Sequence, residues 1–249
     1  MLRIALLFCL TALPALAEEV VAGLSQSRIS ISTNFDGSEI LIFGAVKREA
    51  PIASDPPLEV IVTVEGPSVP VSVRRKEKRF GIWINTDRVE VDSAPSFYAV
   101  ATSSDWRSAI RDTEDLRHRV SIPRAIRSVG ATIEGTADFT EALIRIRRKA
   151  GLYQTNIGAV NLSEATLFDT SVQLPANLHE GDYRARFLLT RGGQVIDTHE
   201  TTILVQKVGL ERMLFRLSRD EPLLYGLLSL AIAIAAGWTA SAAFRFIRN

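Results

Sequence analysis

Glu114 and Asp115 precede His118 by four and three residues in the run TEDLRHR. On a helix that spacing puts a carboxylate and an imidazole on one face, where the pair can pass a proton. It is the best acid–base pair in the sequence, and a hydrolase would use His118 and Glu114. The same stretch carries Arg107, Arg111, Arg117 and Arg119. Opposite charges at helical spacing hold each other more often than they catalyse, so the run reads first as a surface ion-pair cluster. His179 reads as a loop residue and His199 as a strand residue on a solvated face. The sequence contains no HExxH, GxSxG, SxxK or glycine-rich phosphate loop, each of which would mark a metal, nucleophile or nucleotide site. We therefore expect no catalytic residue, no metal ligand and no cofactor, with an enzyme as the minority reading.

A second group is the basic run Arg74-Arg75-Lys76-Glu77-Lys78-Arg79. It joins VPVSV to FGIWI and predicts a hairpin. Arg74, Arg75, Lys76, Lys78 and Arg79 are the candidate contacts for an anion, a headgroup or an acidic partner face. The competing account is a charged turn that stops a sheet edge from pairing. Trp83 and the Phe97-Tyr98 pair read as core residues.

The third group lies near the C-terminus. Ala233, Gly237 and Ser241 recur every four residues, and small side chains at that interval let two membrane helices approach closely. Such residues are also common in membrane helices generally.

The elements around these groups read as mainly β. RISISTNF alternates, with Ile29, Ile31 and Thr33 on one side. SEILIFGAV, LEVIVTVEG, VPVSVRRK, RFGIWIN and SFYAVATS follow, separated by Gly, Pro, Asn and Asp. Short strands at this spacing predict an Ig-like β-sandwich. From about 105 to 160 the alternation gives way to a helical insertion. There Asp138 and Glu141 form a variant capping box, Phe139, Leu143 and Ile146 form an apolar stripe, and Gly151 is the stop. Strands return in ATLFDTSVQLP, GDYRARFLLTR and QVIDTHETTILVQ, with Gly192-Gly193 as a tight turn. Tyr183 opens a strand after a loop, the place of a tyrosine corner. The rival arrangement is two small domains divided near residue 104.

The two ends assign a place. Residues 1–17 have a basic start at Arg3, an apolar run of about ten residues and the small-x-small triplet Ala15-Leu16-Ala17, the layout of a cleaved signal peptide. Cys9, the sole cysteine, would leave with it. No charge occurs from Leu223 to Phe244, a stretch of roughly 33 Å as a helix against a hydrocarbon core of about 30 Å. Residues 222–244 are thus expected to cross the bilayer and 245–249 to form a cytoplasmic tail. Before the span, 207–221 predicts an amphipathic helix, with Leu210, Met213, Leu214 and Leu217 opposite Glu211, Arg212 and Arg216. Residues 18–206 would be the periplasmic domain of a single-pass inner-membrane protein. Lys207, Arg212, Arg216 and Arg219 outnumber Arg245 and Arg248, which alone favours the reverse orientation. The leader outweighs them, because the first hydrophobic segment usually dominates. Lys+Arg number 29 and Asp+Glu 28, a near-neutral balance that makes no electrostatic case for nucleic acid.

AGLSQSRISISTNFDGSEILIFGAV, VTVEGP, RFGIWINT, SFYAVATS, TEDLRHR and the closing LLYGL…GW…FR resemble an uncharacterised family of alphaproteobacterial transmembrane proteins, the Alph_Pro_TM type. The resemblance covers nearly the whole chain after the leader. It implies an exported domain on a C-terminal anchor, associated with permeases of the sulfite-exporter type, and it carries no catalytic residues. Residues and resemblance together lead to a non-enzymatic accessory or assembly partner of an integral membrane protein such as a transporter. The alternatives are an anchored module that binds or senses an anion or envelope polymer, and a hydrolase.

Overall fold

The computed structural model describes residues 18–32, 35–48, 51, 55–128 and 136–247. The leader at 1–17 with Cys9, Thr33, and residues 248–249 of the tail lie outside these. The chain divides into two compact units, residues 1–29 with 36–205, and residues 30–35 with 206–249.

The first unit is a sandwich with a third layer. One sheet has the order β1-β3-β10-β9, from β1 (Glu19–Leu24), β3 (Ser38–Lys47), β9 (Asn161–Ser163) and β10 (Leu167–Leu174). The second has the order β2-β12-β11-β4-β7-β8, from β2 (Arg28–Ile31), β4 (Leu58–Glu65), β7 (Tyr98–Thr102), β8 (Tyr153–Asn156), β11 (Gly181–Arg191) and β12 (Gln194–Lys207). Phe168 of β10 and Phe187 of β11 meet between the sheets with ring centroids 6.2 Å apart. Gly44 of β3 lies beneath Phe168, and a Cβ there would come within 2.3 Å of the ring. Ile40, Ile42, Val172, Val62 and Ile203 complete this buried interior.

Sheet position explains the strand patterns. β3 alternates buried and exposed residues, since one of its faces meets solvent. β4 and β7 are buried almost without interruption, because their sheet is covered on both faces. The second cover is helical: α1 (Trp106–Ala109), α2 (Asp112–His118), α3 (Ile122–Ala125) and α4 (Thr136–Lys149). Ile61, Tyr98, Val100 and Leu188 of the sheet share a second core with Ile110, Val120, Ile122, Phe139 and Leu143. The insertion is therefore a structural layer.

Its boundaries and faces differ from expectation. Tyr153–Asn156 is a strand paired in parallel with Tyr98–Ala101, so the helical stretch ends well before 160. β1, β8 and β9 went unforeseen, being short or embedded in polar sequence. Helix α4 begins at Thr136, which puts Asp138 inside the first turn and not at a capping box. Its buried stripe is Phe139, Leu143 and Ile144, whereas Ile146 is 59% exposed. The i, i+4, i+5 set faces the core. The C-terminus closes as a Schellman motif: the Gly151 N–H donates to Arg148 O at 3.0 Å and the Leu152 N–H to Arg147 O at 2.9 Å. Gly151 has φ +73°, the left-handed value that glycine adopts at little cost.

Two other turns match the sequence reading. Gly192 and Gly193 have φ +56° and +76° and join β11 to β12 with Arg191 opposite Gln194. The Tyr183 hydroxyl donates to His179 O at 2.9 Å, tying down the loop as a tyrosine corner does.

In the second unit the Val208 N–H donates to Ile31 O at 2.8 Å. Helix α5 spans Leu210–Asp220 and helix α6 spans Pro222–Ile247. The predicted two-faced helix at 207–221 is thus present as a helix, with Arg219 stacked over Phe215. The side chains of Leu210, Glu211, Arg212, Met213 and Arg216 lie outside those described. Pro222 at the first helical position needs no N–H donor, and Glu221 O accepts from the Tyr225 N–H at 3.0 Å.

Candidate functional site

The Glu114–Asp115–His118 cluster forms on helix α2, but its groups face inward to their own loop. Asp115 is buried. Its Oδ1 accepts from the backbone N–H groups of Val120 and Ser121 at 3.1 and 2.7 Å, and its Oδ2 from the Ser121 hydroxyl at 2.8 Å. Arg119 between them has φ +51°. The carboxylate holds the α2–α3 turn closed. Glu114 lies 2.9 Å from Arg117 and 3.5 Å from His118 Nε2, and accepts from the Val195 N–H at 3.3 Å. These contacts fasten α2 to the start of β12.

Two residues complete the cluster: Tyr98, which sequence reading assigned only to the core, and Arg186, which it did not single out. The Tyr98 hydroxyl donates to Val120 O at 2.7 Å. Arg186 of β11 donates from Nη1 to His118 O at 2.7 Å and from Nη2 to Arg119 O at 3.3 Å. Arg184 and Arg186 alternate with buried Ala185 and Phe187, so sequence marks them as solvated. The helical layer over that face turns Arg186 into a clamp. Burial pushes the Tyr98 phenol up to about 12, against the lowering effect of Arg186. Burial also raises Tyr153 and Tyr183.

His179 is an exposed loop residue. His199 is half-buried beside Phe187, with ring centroids 6.0 Å apart, and not on a freely solvated face.

A second ionic centre also went unseen. Arg191 Nη2 grips both carboxylate oxygens of Glu18 at 2.9 and 2.8 Å, and Arg48 Nε approaches at 2.8 Å. Burial alone would raise the Glu18 carboxyl. The hydrogen bonds and charges of Arg191 and Arg48 overcome it and leave the group below 4.5. These residues are 30 and 173 positions apart, beyond any local spacing signal.

The basic run lies on strand β5 (Ser68–Arg79), paired with β6 (Ile82–Pro95) in a two-stranded sheet. Its turn is Phe80-Gly81, with φ +50° and +84°. Alternation splits the run. Arg75 opposes Asp87 on the inner face, 3.7 Å from both Asp87 and Asp138, and stacks on Phe139. Arg79 pairs with Glu77 at 3.2 Å. Arg74, Lys76 and Lys78 point to the opposite face, exposed. Trp83, opposite Lys78, is 68% exposed and does not join the core, since the hairpin extends past the domain that would cover it. Phe97 and Tyr98 are fully buried, as expected.

Depressions of about 500 and 470 Å³ lie elsewhere among the described residues. Asp36 and Glu39 line the first, and Glu39 and Asp169 the second. Both are open to solvent and carry the wrong charge for an anion.

Helix α6 is long and apolar enough to cross a membrane over Pro222–Ser241, with none of that stretch buried. Two of its hydroxyls return to its own backbone: Ser229 donates to Tyr225 O and Thr239 to Ala235 O, each at 2.9 Å. That removes the cost of an unpaired hydroxyl in hydrocarbon at these two positions. Ala233, Gly237 and Ser241 are exposed on it.

Sandwich and apolar helix together define a β-rich protein anchored in a lipid bilayer near its C-terminus. The chain belongs to the family described as "Putative transmembrane protein (Alph_Pro_TM)", whose model matches residues 19–246. No curated protein matches it. Among solved structures it is similar to the sporulation control protein Spo0M from Bacillus subtilis, at 10% identity and a TM-score of 0.30, over 82% of this chain and 55% of that one. The chain thus spans about half the length of that protein.

Proposed function

We propose that this protein is a non-enzymatic accessory or assembly partner of an integral membrane protein, with its β-rich domain in the periplasm and its C-terminal helix in the inner membrane. One observation carries the reading. From Pro222 to Ser241 the helix is wholly exposed and carries no charged side chain, so lipid or another membrane helix must cover it. The best acid–base candidates support the reading too, because Asp115 and Glu114 are spent on their own backbone and side chains. A permease of the sulfite-exporter type is the partner that the family resemblance favours. Gly237 and its small neighbours would pack against it within the bilayer.

In-membrane crosslinking tests this. Native membranes holding the intact chain should yield one integral membrane protein reproducibly. A chain whose 223–244 span is replaced by polyleucine should lose it. Equal recovery from both would remove the packing claim, and no crosslinked membrane protein would remove the accessory role.

A further inference from the structure

The β5–β6 hairpin ends in a tip that folding alone does not explain. Past Val73, its last buried residue on β5, the strand runs on for the six residues Arg74 to Arg79, roughly 20 Å at strand rise. At its end Phe80 is fully exposed, Ile82 is 65% exposed and Trp83 68%. Phe80 also holds φ +50° in a two-residue turn, where asparagine or glycine fits and a bulky side chain is disfavoured. A residue that is wrong for both its backbone and its solvent marks a site selected for something other than stability.

The charges follow a matching pattern. Arg74, Lys76, Lys78 and Trp83 share one face by strand register. Arg88, opposite Arg74 on that face, is bound by Glu90. Arg74, Lys76 and Lys78 have no ion partner among the described residues. A device that merely blocks edge pairing needs the cations and not the aromatic tip.

We propose that this tip is a contact for an anionic phospholipid surface: Phe80, Ile82 and Trp83 enter the headgroup–acyl boundary while Arg74, Lys76 and Lys78 meet the phosphates. Aromatic rings with one polar edge favour that boundary, and each nearby cation strengthens attachment about fivefold. The apolar tip amounts to something on the order of 500 Å², from typical aromatic areas. That falls short of the roughly 800 Å² per side of a stable protein interface. A bilayer imposes no such minimum, and helix α6 keeps one within reach. The proposal rests on the membrane anchor and is independent of the accessory-partner reading.

The full chain is reconstituted in nanodiscs of phosphatidylcholine, with and without phosphatidylglycerol, using lipids brominated high on the acyl chain. The Trp83 signal is the wild-type fluorescence minus that of Trp83→Phe, which removes Trp106 and Trp238. We expect bromine quenching of this signal with phosphatidylglycerol. It should be lost at high salt and in the triple variant R74Q/K76Q/K78Q, whose thermal unfolding should match wild type. An unquenched signal in both lipids overturns the proposal. So does quenching equal in both lipids and unchanged in the triple variant. Protection of the tip in native membranes alone, with no quenching in lipid discs, would assign it to a protein and also overturn it.

Discussion

The Tyr98 hydroxyl reaches out of the large sheet and donates to the Val120 carbonyl at 2.7 Å. This joins a strand to a helical layer 22 positions along the chain. Arg186 donates to the adjoining His118 and Arg119 carbonyls, so two side chains of one sheet face hold the α2–α3 turn. Tyr98→Phe should lower unfolding stability by about 1–2 kcal/mol, since a buried carbonyl loses its best donor. Thermal unfolding of the detergent-solubilised chain measures it. An unchanged midpoint would mean that Arg186 suffices alone.

The same phenol predicts an alkaline transition. Its ordinary value is 10.0, and in the fold it is about 12. Between these values the folded state keeps a proton that the unfolded state has lost. Stability therefore falls as pH rises from 10 toward 12. Tyr153 and Tyr183 act in the same direction. Unfolding midpoints measured across that window should drop, and less steeply in Tyr98→Phe than in wild type.

Glu18 acts at the other end of the scale. Its carboxyl is held below 4.5 in the fold. Its contribution is complete above the unfolded value and is lost as pH falls through the lower folded one. Glu18→Gln should cost about 1 kcal/mol at neutral pH, a modest figure because solvent reaches part of the site. It should cost nothing once the carboxyl is protonated. A penalty that persists in acid would indicate lost packing instead of lost charge.

Two aromatic truncations should behave oppositely. Phe168→Ala empties the space between the sheets and should cost about 3–5 kcal/mol. Trp83→Ala should stay within about 0.5 kcal/mol, as exposed sites do. Urea unfolding compares them. A large loss at Trp83 would mean that the hairpin tip is covered.

On helix α6, Gly237→Leu should leave the unfolding of the β-rich domain unchanged. A Cβ at Gly237 meets nothing within 4 Å. It should weaken any helix–helix association through the small-residue face. Crosslinking yield in native membranes reads this directly, and an undiminished yield would move the contact to another face.

Much of the architecture was legible in the residues. Alternation marked β2, a short apolar run after a turn marked β3, paired glycines marked the β11–β12 turn, and Tyr183 marked its loop. The uncharged run before Phe244 marked the membrane helix. All of these depend on spacings of a few residues and on transfer from water. The sequence determined them alone, because local backbone geometry and solvation are properties of short segments.

Other features depended on what came to lie alongside. Trp83 and Phe97 are equally apolar, yet one is exposed and the other buried, because only one has a layer over it. Arg74 and Arg75 are neighbours of like charge. One has no ion partner among the described residues, while the other is bound by Asp87, Asp138 and Phe139. Glu18 meets Arg191 across 173 positions, and Asp115 is spent on its own turn. Only the tertiary structure decided these, because burial and ion pairing are set by long-range neighbours, which a linear pattern does not encode.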